Sequence, residues 1–161
     1  MIPDYAEACF YVRGATRAYT DELVRKVKAC AEAAAIATGC SLTVSNYEYS
    51  YDELRTNAAL SGAFTANLIA SGIPEEQIVH GHDNGSLDLG NVSLRCPAAH
   101  PYIKVVDEPY QLHTIEFRDA AQTDRAYEAM VFGATMLAYT GCDVLTDASL
   151  LKRIREEFAR R

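Results

Sequence analysis

Residues 4–49, DYAEACFYVRGATRAYTDELVRKVKACAEAAAIATGCSLTVSNYEY, decide how the fold is read. The segment 4–13 alternates, and Tyr5, Ala8, Phe10 and Val12 include the aromatic and β-branched residues that suit a pleated surface. Gly14 ends it. Thr16 is a good N-cap, and Leu23, Val27, Cys30, Ala31, Ala34 and Thr38 follow at helical spacing on one face. Glu22, Arg25, Lys26 and Lys28 lie toward the other side, and Gly39 suits the position just past a helix. The spacing therefore predicts an amphipathic helix over Thr16 to Thr38. Cys40 to Tyr49 alternates again through Leu42, Val44 and Tyr47. Strand, helix, strand is about half of a two-layer α/β sandwich. Such a half leaves sheet edges unpaired and calls for partner strands. A chain that opens on a strand with no lead-in is unusual for a complete domain.

Beyond Tyr51 the pattern changes. Asp52 to Ser71 reads as a second helix through Leu54, Ala58, Phe64, Leu68 and Ile69, stopped by Gly72 and Pro74. A loop-rich segment follows from His80 to His113. Within it VSLRC (92–96) and YIKVV (102–106) read as short strands. Ala120 to Thr140 reads as a third helix, with Ala126, Ala129, Met130, Gly133, Ala134, Leu137 and Ala138 on a small-residue face. Thr146 or Asp147 caps a last helix through about Arg160. The expected class is α/β in two parts, 1–50 and 51–161.

Composition sets outer bounds. The 161 residues are 49% apolar and 23% charged, an ordinary balance for a globular chain. The net charge of −7 is spread out, and no basic stripe appears, so no nucleic-acid partner is expected. No apolar run approaches the roughly 20 residues that span a bilayer, so no membrane partner is expected. MIPDYAEACFYV lacks the basic start and apolar middle of a signal peptide. Cys9, Cys30, Cys40, Cys96 and Cys142 are odd in number and scattered, with no CxxC. They predict a reducing, cytoplasmic setting and mostly buried thiols.

All four histidines, His80, His82, His100 and His113, fall between 80 and 113, with Asp83 and Asp88 among them. A His- and Asp-rich loop segment between helices is where chemistry is sought first. His80 and His82 share a face only if the chain is extended there; exposed loop histidines explain them equally well. Asp88 in GSLDLGN suits a metal-site partner or an Asx-turn. His100, held extended by Pro101, either faces a pocket or fills a strand end. His113, followed by a hydroxyl residue just before a helix, is the strongest single candidate. A catalytic zinc needs about three protein ligands, and the chain has no HExxH and no HxD. A self-contained zinc enzyme is not expected. GxSxG and phosphate-loop patterns are absent too.

Several of these stretches, taken in order, resemble one family. IPDYAEACFYVRG, VKACAEAAAIATGCSLTV, HDNGSLDLGNVSLRCPAAHPYIKV, LHTIEF and GCDVLTDASLLKRIREEF are similar to successive segments of the aminoacylase/amidohydrolase family of zinc peptidases, peptidase family M-twenty. The branch holding aminobenzoyl-glutamate hydrolases and aminoacylase-like dipeptidases is the nearest. The resemblance implies half of a lid, or dimerisation, domain followed by the C-terminal part of the catalytic domain. It implies a two-metal centre of zinc or manganese acting on an acyl-amino acid or a dipeptide. His113 matches the family's last metal ligand. Asp88, with Gly85, Ser86, Gly90 and Asn91, matches the loop lining the active site. His100 matches an H-P-Y histidine, and Arg13 a frequent lid-strand arginine. Leu87 stands where the family has Thr.

The same resemblance implies what this sequence lacks. The family's HxD, bridging Asp, Glu-Glu pair and lid Asn would all lie upstream, and Met1 stands where a Val is expected. An internal start codon or a truncated gene is the expectation, tested by sequencing upstream of Met1. With one ligand present, the chain alone is expected to bind no metal tightly and to be inactive. Its expected partner is a complementing N-terminal chain or another copy. The alternative is a non-catalytic module that oligomerises or regulates through the exposed lid strand.

Overall fold

A computed structural model describes residues 2–81 and 85–160. They form two compact units: one of residues up to Leu54 together with Ser86–Asn91, the other of Arg55–Gly85 and Val92 onward.

The first unit is built on α1 (Arg17–Thr38). Thr16 caps it, its hydroxyl accepting from the Tyr19 N–H at 3.3 Å. Glu53 Oε2 accepts from the Arg17 N–H at 3.0 Å, placing a carboxylate at the positive end of the helix dipole. At the other end Gly39 takes φ 71°, and the N–H groups of Gly39 and Cys40 reach back to the carbonyls of Ile36 and Ala35. This Schellman closure requires the left-handed conformation that glycine adopts freely. The expected helix thus forms, but α1 buries no residue, and Val27 on its apolar face is 42% exposed.

The expected α/β class is overturned. Among the described residues there is no β-strand and no sheet, only an isolated parallel bridge between Thr56 and Ala98. Residues 4–13 and 40–49 meet through side chains: the Tyr11 hydroxyl donates to Glu48 at 2.9 Å, and the Tyr11 and Tyr47 rings pack edge to face at 5.8 Å. No backbone hydrogen bond between described residues joins the two segments. Alternation shows that a segment suits a pleat; a pleat also needs ladder partners, and two lone strands are marginal in water. The other two expected strands fail similarly. Val92 and Ser93 lie in a short helix, α3 (Leu89–Ser93), and residues 102–106 carry no ladder.

The second unit is a helical bundle. α2 (Ala58–Ala70), α5 (Asp124–Thr146) and α6 (Ala148–Ala159) pack on one another, and the six-residue α4 (Ile115–Ala120) precedes α5. α2 starts later than its apolar pattern predicts because residues 55–57 have other partners. The Arg55 N–H donates to Ser93 Oγ at 2.9 Å, and the Asn57 N–H to the Ala98 carbonyl at 2.7 Å. Asn57 is fully buried: its Oδ1 caps Leu60 and its Nδ2 donates to the Ile154 carbonyl at 3.0 Å. Glu157 of α6 closes the same helix end, accepting from the N–H groups of Ala58 and Ala59 at 2.7 and 2.9 Å.

On α5 the buried residues are Ala126, Ala129, Met136 and Thr140, with Gly133 against Ile103. That 3-4-3-4 spacing is a seam for packing against neighbouring helices. Met130 and Leu137, expected on the packed face, are 61% and 57% exposed. Phe64, Leu68 and Met136 form the centre of the core. Polar contacts reinforce it, Asn67 Nδ2 donating to Asp143 at 2.7 Å and to Thr140 at 3.2 Å. By length and composition α5 is apolar enough to cross a bilayer, which the run-by-run reading missed. Its seam accounts for part of that apolar content as bundle core.

Asp147 caps α6, accepting from Ser149 and from the Leu150 N–H. Those hydrogen bonds, the Ser149 hydroxyl's first, hold its carboxyl below the ordinary range. The thiols depart from expectation: all five cysteines are exposed.

Candidate functional site

The candidate residues divide between the two units. Gly85 is the last residue before Ser86–Asn91, which cluster with the first unit. The Gly90 N–H donates to the Leu87 carbonyl and the Asn91 N–H to the Asp88 carbonyl, at 3.3 and 3.0 Å, so the chain turns at Asp88 into α3. The Ser86 and Asp88 side chains are exposed. The Asn91 side chain is engaged within the protein: its Oδ1 accepts from the Asp52 N–H at 3.2 Å. Its Nδ2 donates to Asp52 Oδ2 at 3.1 Å and to the Ser50 carbonyl at 3.4 Å. Gly90 is buried against the Asp52 carbonyl so closely that a Cβ would collide with it. Arg13, in the same unit, is exposed with its guanidinium 5.7 Å from the Tyr11 ring centre.

His100 and His113 belong to the second unit. His100 is exposed and packs edge to face on Tyr102 at 4.9 Å. His113 is exposed and has φ 66°, the one positive φ among described non-glycine residues. A side-chain-bearing residue in this region costs about 1–2 kcal/mol and persists where its surroundings fix it. Thr114 does the fixing: its hydroxyl donates to the Gln111 carbonyl at 2.8 Å and accepts from the Phe117 N–H at 3.2 Å, capping α4. The histidine is thus set at a rigid corner with its imidazole open to solvent.

The same unit holds an open cleft of about 530 Å³ lined by Val106, Asp107, Glu108, Glu116, Asp119 and Arg125, among others. Asp107 is shared between Lys104 at 3.5 Å and Arg125 at 3.7 Å. Sequence reading missed this acidic lining because its residues come from a loop, α4 and the start of α5, each unremarkable by itself. It also missed Asp52 and Glu53, whose partners lie 39 and 36 residues away along the chain.

Among the described residues no three His, Cys, Asp or Glu side chains converge to hold a metal ion. His82 and Asp83 lie outside those residues. His113 is one side chain where a catalytic zinc takes about three protein ligands. The described residues alone do not fit a metal centre, and no chemical step is assigned to one.

No protein-family model matches the chain. Two curated proteins do. It is 33% identical over 161 residues to the Xaa-Arg dipeptidase of Mus musculus, covering 98% of this chain and 37% of the mouse protein. It is 32% identical over 161 residues to the Xaa-Arg dipeptidase of Homo sapiens, covering 98% of this chain and 36% of the human protein. The chain thus spans little more than a third of the length of these relatives. From its first strand-like segment to its last helix, it is related to dipeptidases.

Proposed function

We propose that this sequence is the C-terminal part of a metal-dependent amidohydrolase of the dipeptidase type, acting on dipeptides or acyl-amino acids with zinc or manganese. The observation that carries the reading is His113. It stands in a left-handed backbone conformation that a threonine cap holds in place, at the position where the resemblance expects a metal ligand. The kinship with the mouse and human dipeptidases supports the reaction class, and their name suggests a dipeptide ending in arginine as the first substrate to try. The remaining ligands and the general base would come from polypeptide outside this sequence. From the resemblance alone, Asp88, Ser86, Gly85, Asn91, His100 and Arg13 are proposed as substrate contacts.

The test is a chimera in which this chain replaces the matching segment of the mouse dipeptidase. It is expected to cleave an Xaa-Arg dipeptide. His113→Ala in the chimera is expected to lose about a hundredfold or more, since even the outer groups that orient metal ligands are worth 10–100-fold. A folded, metal-loaded chimera without turnover would sink the reading. The 161-residue chain alone, given zinc or manganese, is expected to leave substrate intact, and turnover by it would overturn the incomplete-centre part.

A second reading is a non-catalytic module that associates through the first unit. It is favoured by the exposure there of Tyr5, Phe10 and Tyr11 at 77%, 69% and 65%. A discrete dimer in light scattering together with an inactive chimera would favour it.

A further inference from the structure

Asp52 and Glu53 are adjacent, and each fastens a different element of the first unit. Asp52 takes both ends of the Asn91 carboxamide, one on its N–H and one on its carboxylate. Glu53 accepts from the Arg17 N–H at the start of α1. Gly90 presses on the Asp52 carbonyl where any side chain would intrude. From Asn91 the turn runs straight back to Asp88 through its own backbone hydrogen bond.

We propose that Asp52–Glu53 is a two-sided fastening that sets the 86–91 loop at a fixed position relative to the N-terminus of α1, with Asn91 as a positioning residue acting through Asp52. A carboxamide suits this task because it both donates and accepts. Its oxygen takes the Asp52 N–H, while its nitrogen takes the Asp52 carboxylate in a charge-assisted bond. A carboxylate at position 91 would set two like charges against each other at the second contact, and that repulsion would weaken the first as well. Asn91 then serves the loop by holding Ser86 and Asp88 in place, with its own carboxamide turned to Asp52. The functional meaning of the loop rests on the dipeptidase reading; the fastening itself does not.

The experiment is amide hydrogen exchange on the 161-residue chain, without metal or substrate. Asn91→Asp is expected to speed exchange at the Asp52 amide and across 86–91 by about tenfold, the effect of one net hydrogen bond of roughly 1.4 kcal/mol. The exchanged pair Asp52→Asn/Asn91→Asp puts donor and acceptor back with their roles reversed. It is expected to return those rates to within about threefold of the parent. Gly90→Ala is expected to loosen the same amides with Asn91 intact. Core amides of α2 and α5 serve as the internal reference for intact folding. Unchanged loop exchange in Asn91→Asp, or no recovery in the exchanged pair, would overturn the proposal. Chimera turnover decides the other reading separately, because exchange in the isolated chain needs no active site.

Discussion

The two units carry helices of nearly equal length, 22 residues in α1 and 23 in α5, in opposite environments. α1 is capped at both ends and buries nothing; Gly90 is the one buried residue among those described in its unit. α5 buries a continuous seam against α2 and α6 and shares in a core that includes Phe64, Leu68, Leu150 and Ile154. Capping and hydrophobic spacing are properties of a helix by itself. Burial is a property of what lies across from it. The first unit shows the former without the latter, and its aromatic residues face outward for want of something to cover them.

The comparison breaks most readily in the core. Met136 is 2% exposed at the centre of the bundle, and Met136→Ala is expected to cost about 2–5 kcal/mol in urea unfolding, transfer and cavity terms together. Phe10→Ala, at a side chain 69% exposed, is expected to stay within about 0.5 kcal/mol. Comparable losses at the two sites would mean that the first unit holds a core the comparison denies it.

A smaller effect sharpens the contrast between helix ends. Asn57 is fully buried, caps α2 and bonds to α6. Asn57→Ala is expected to cost about 1–3 kcal/mol, because it removes a cap and a buried hydrogen bond to α6. Thr16→Ala, at the exposed cap of α1, is expected to cost about 1 kcal/mol of local helix stability, read as circular dichroism amplitude with the global unfolding midpoint unmoved.

What the sequence made legible follows the same division. Thr16, Gly39, Gly72 and Asp147 mark helix ends through contacts within a few residues, and each of those ends is where local chemistry puts it. The late start of α2 was illegible because Ser93 and Ala98, which occupy the backbone before it, lie about 40 residues downstream. The absent sheet was illegible for the converse reason: alternation in 4–13 and 40–49 reports two faces of different polarity and says nothing about a ladder partner. The packed stripe of α5 was partly legible. Ala126, Ala129 and Gly133 lie on it, but Met130 and Leu137 are as apolar as Met136, and only the position of α2 decides which of them is covered. Of the candidate site, His113 drew notice as a histidine followed by a hydroxyl residue before a helix. Its unusual backbone angle was not read from the sequence, because histidine, though enriched at φ above zero, adopts it in only a small share of cases. Asn91 was legible as a member of a loop, and its partner Asp52 was not.

The least costly test asks whether 4–13 and 40–49 lie side by side at all. The Tyr11 hydroxyl donates to Glu48, 37 residues away, and this bond, with a further contribution from Tyr47, pushes the Tyr11 phenol up to about 12. The neutral phenol is the donor, so the contact is whole below the ordinary tyrosine value of 10.0 and is lost as pH climbs from there through about 12. Tyr5 is also raised, but by Glu7 two residues along, so it reports nothing about the second segment. Ultraviolet titration of the parent minus Tyr11→Phe isolates the one phenol that matters among ten tyrosines. It is expected to ionise well after an ordinary tyrosine, and Glu48→Gln is expected to bring it back toward 10.0. Added salt should weaken the shift as well, since both groups are exposed. A Tyr11 that ionises normally in the parent would mean that the two segments do not meet. α1 would then stand as a capped helix with still fewer contacts inside its own unit, which sharpens its contrast with α5.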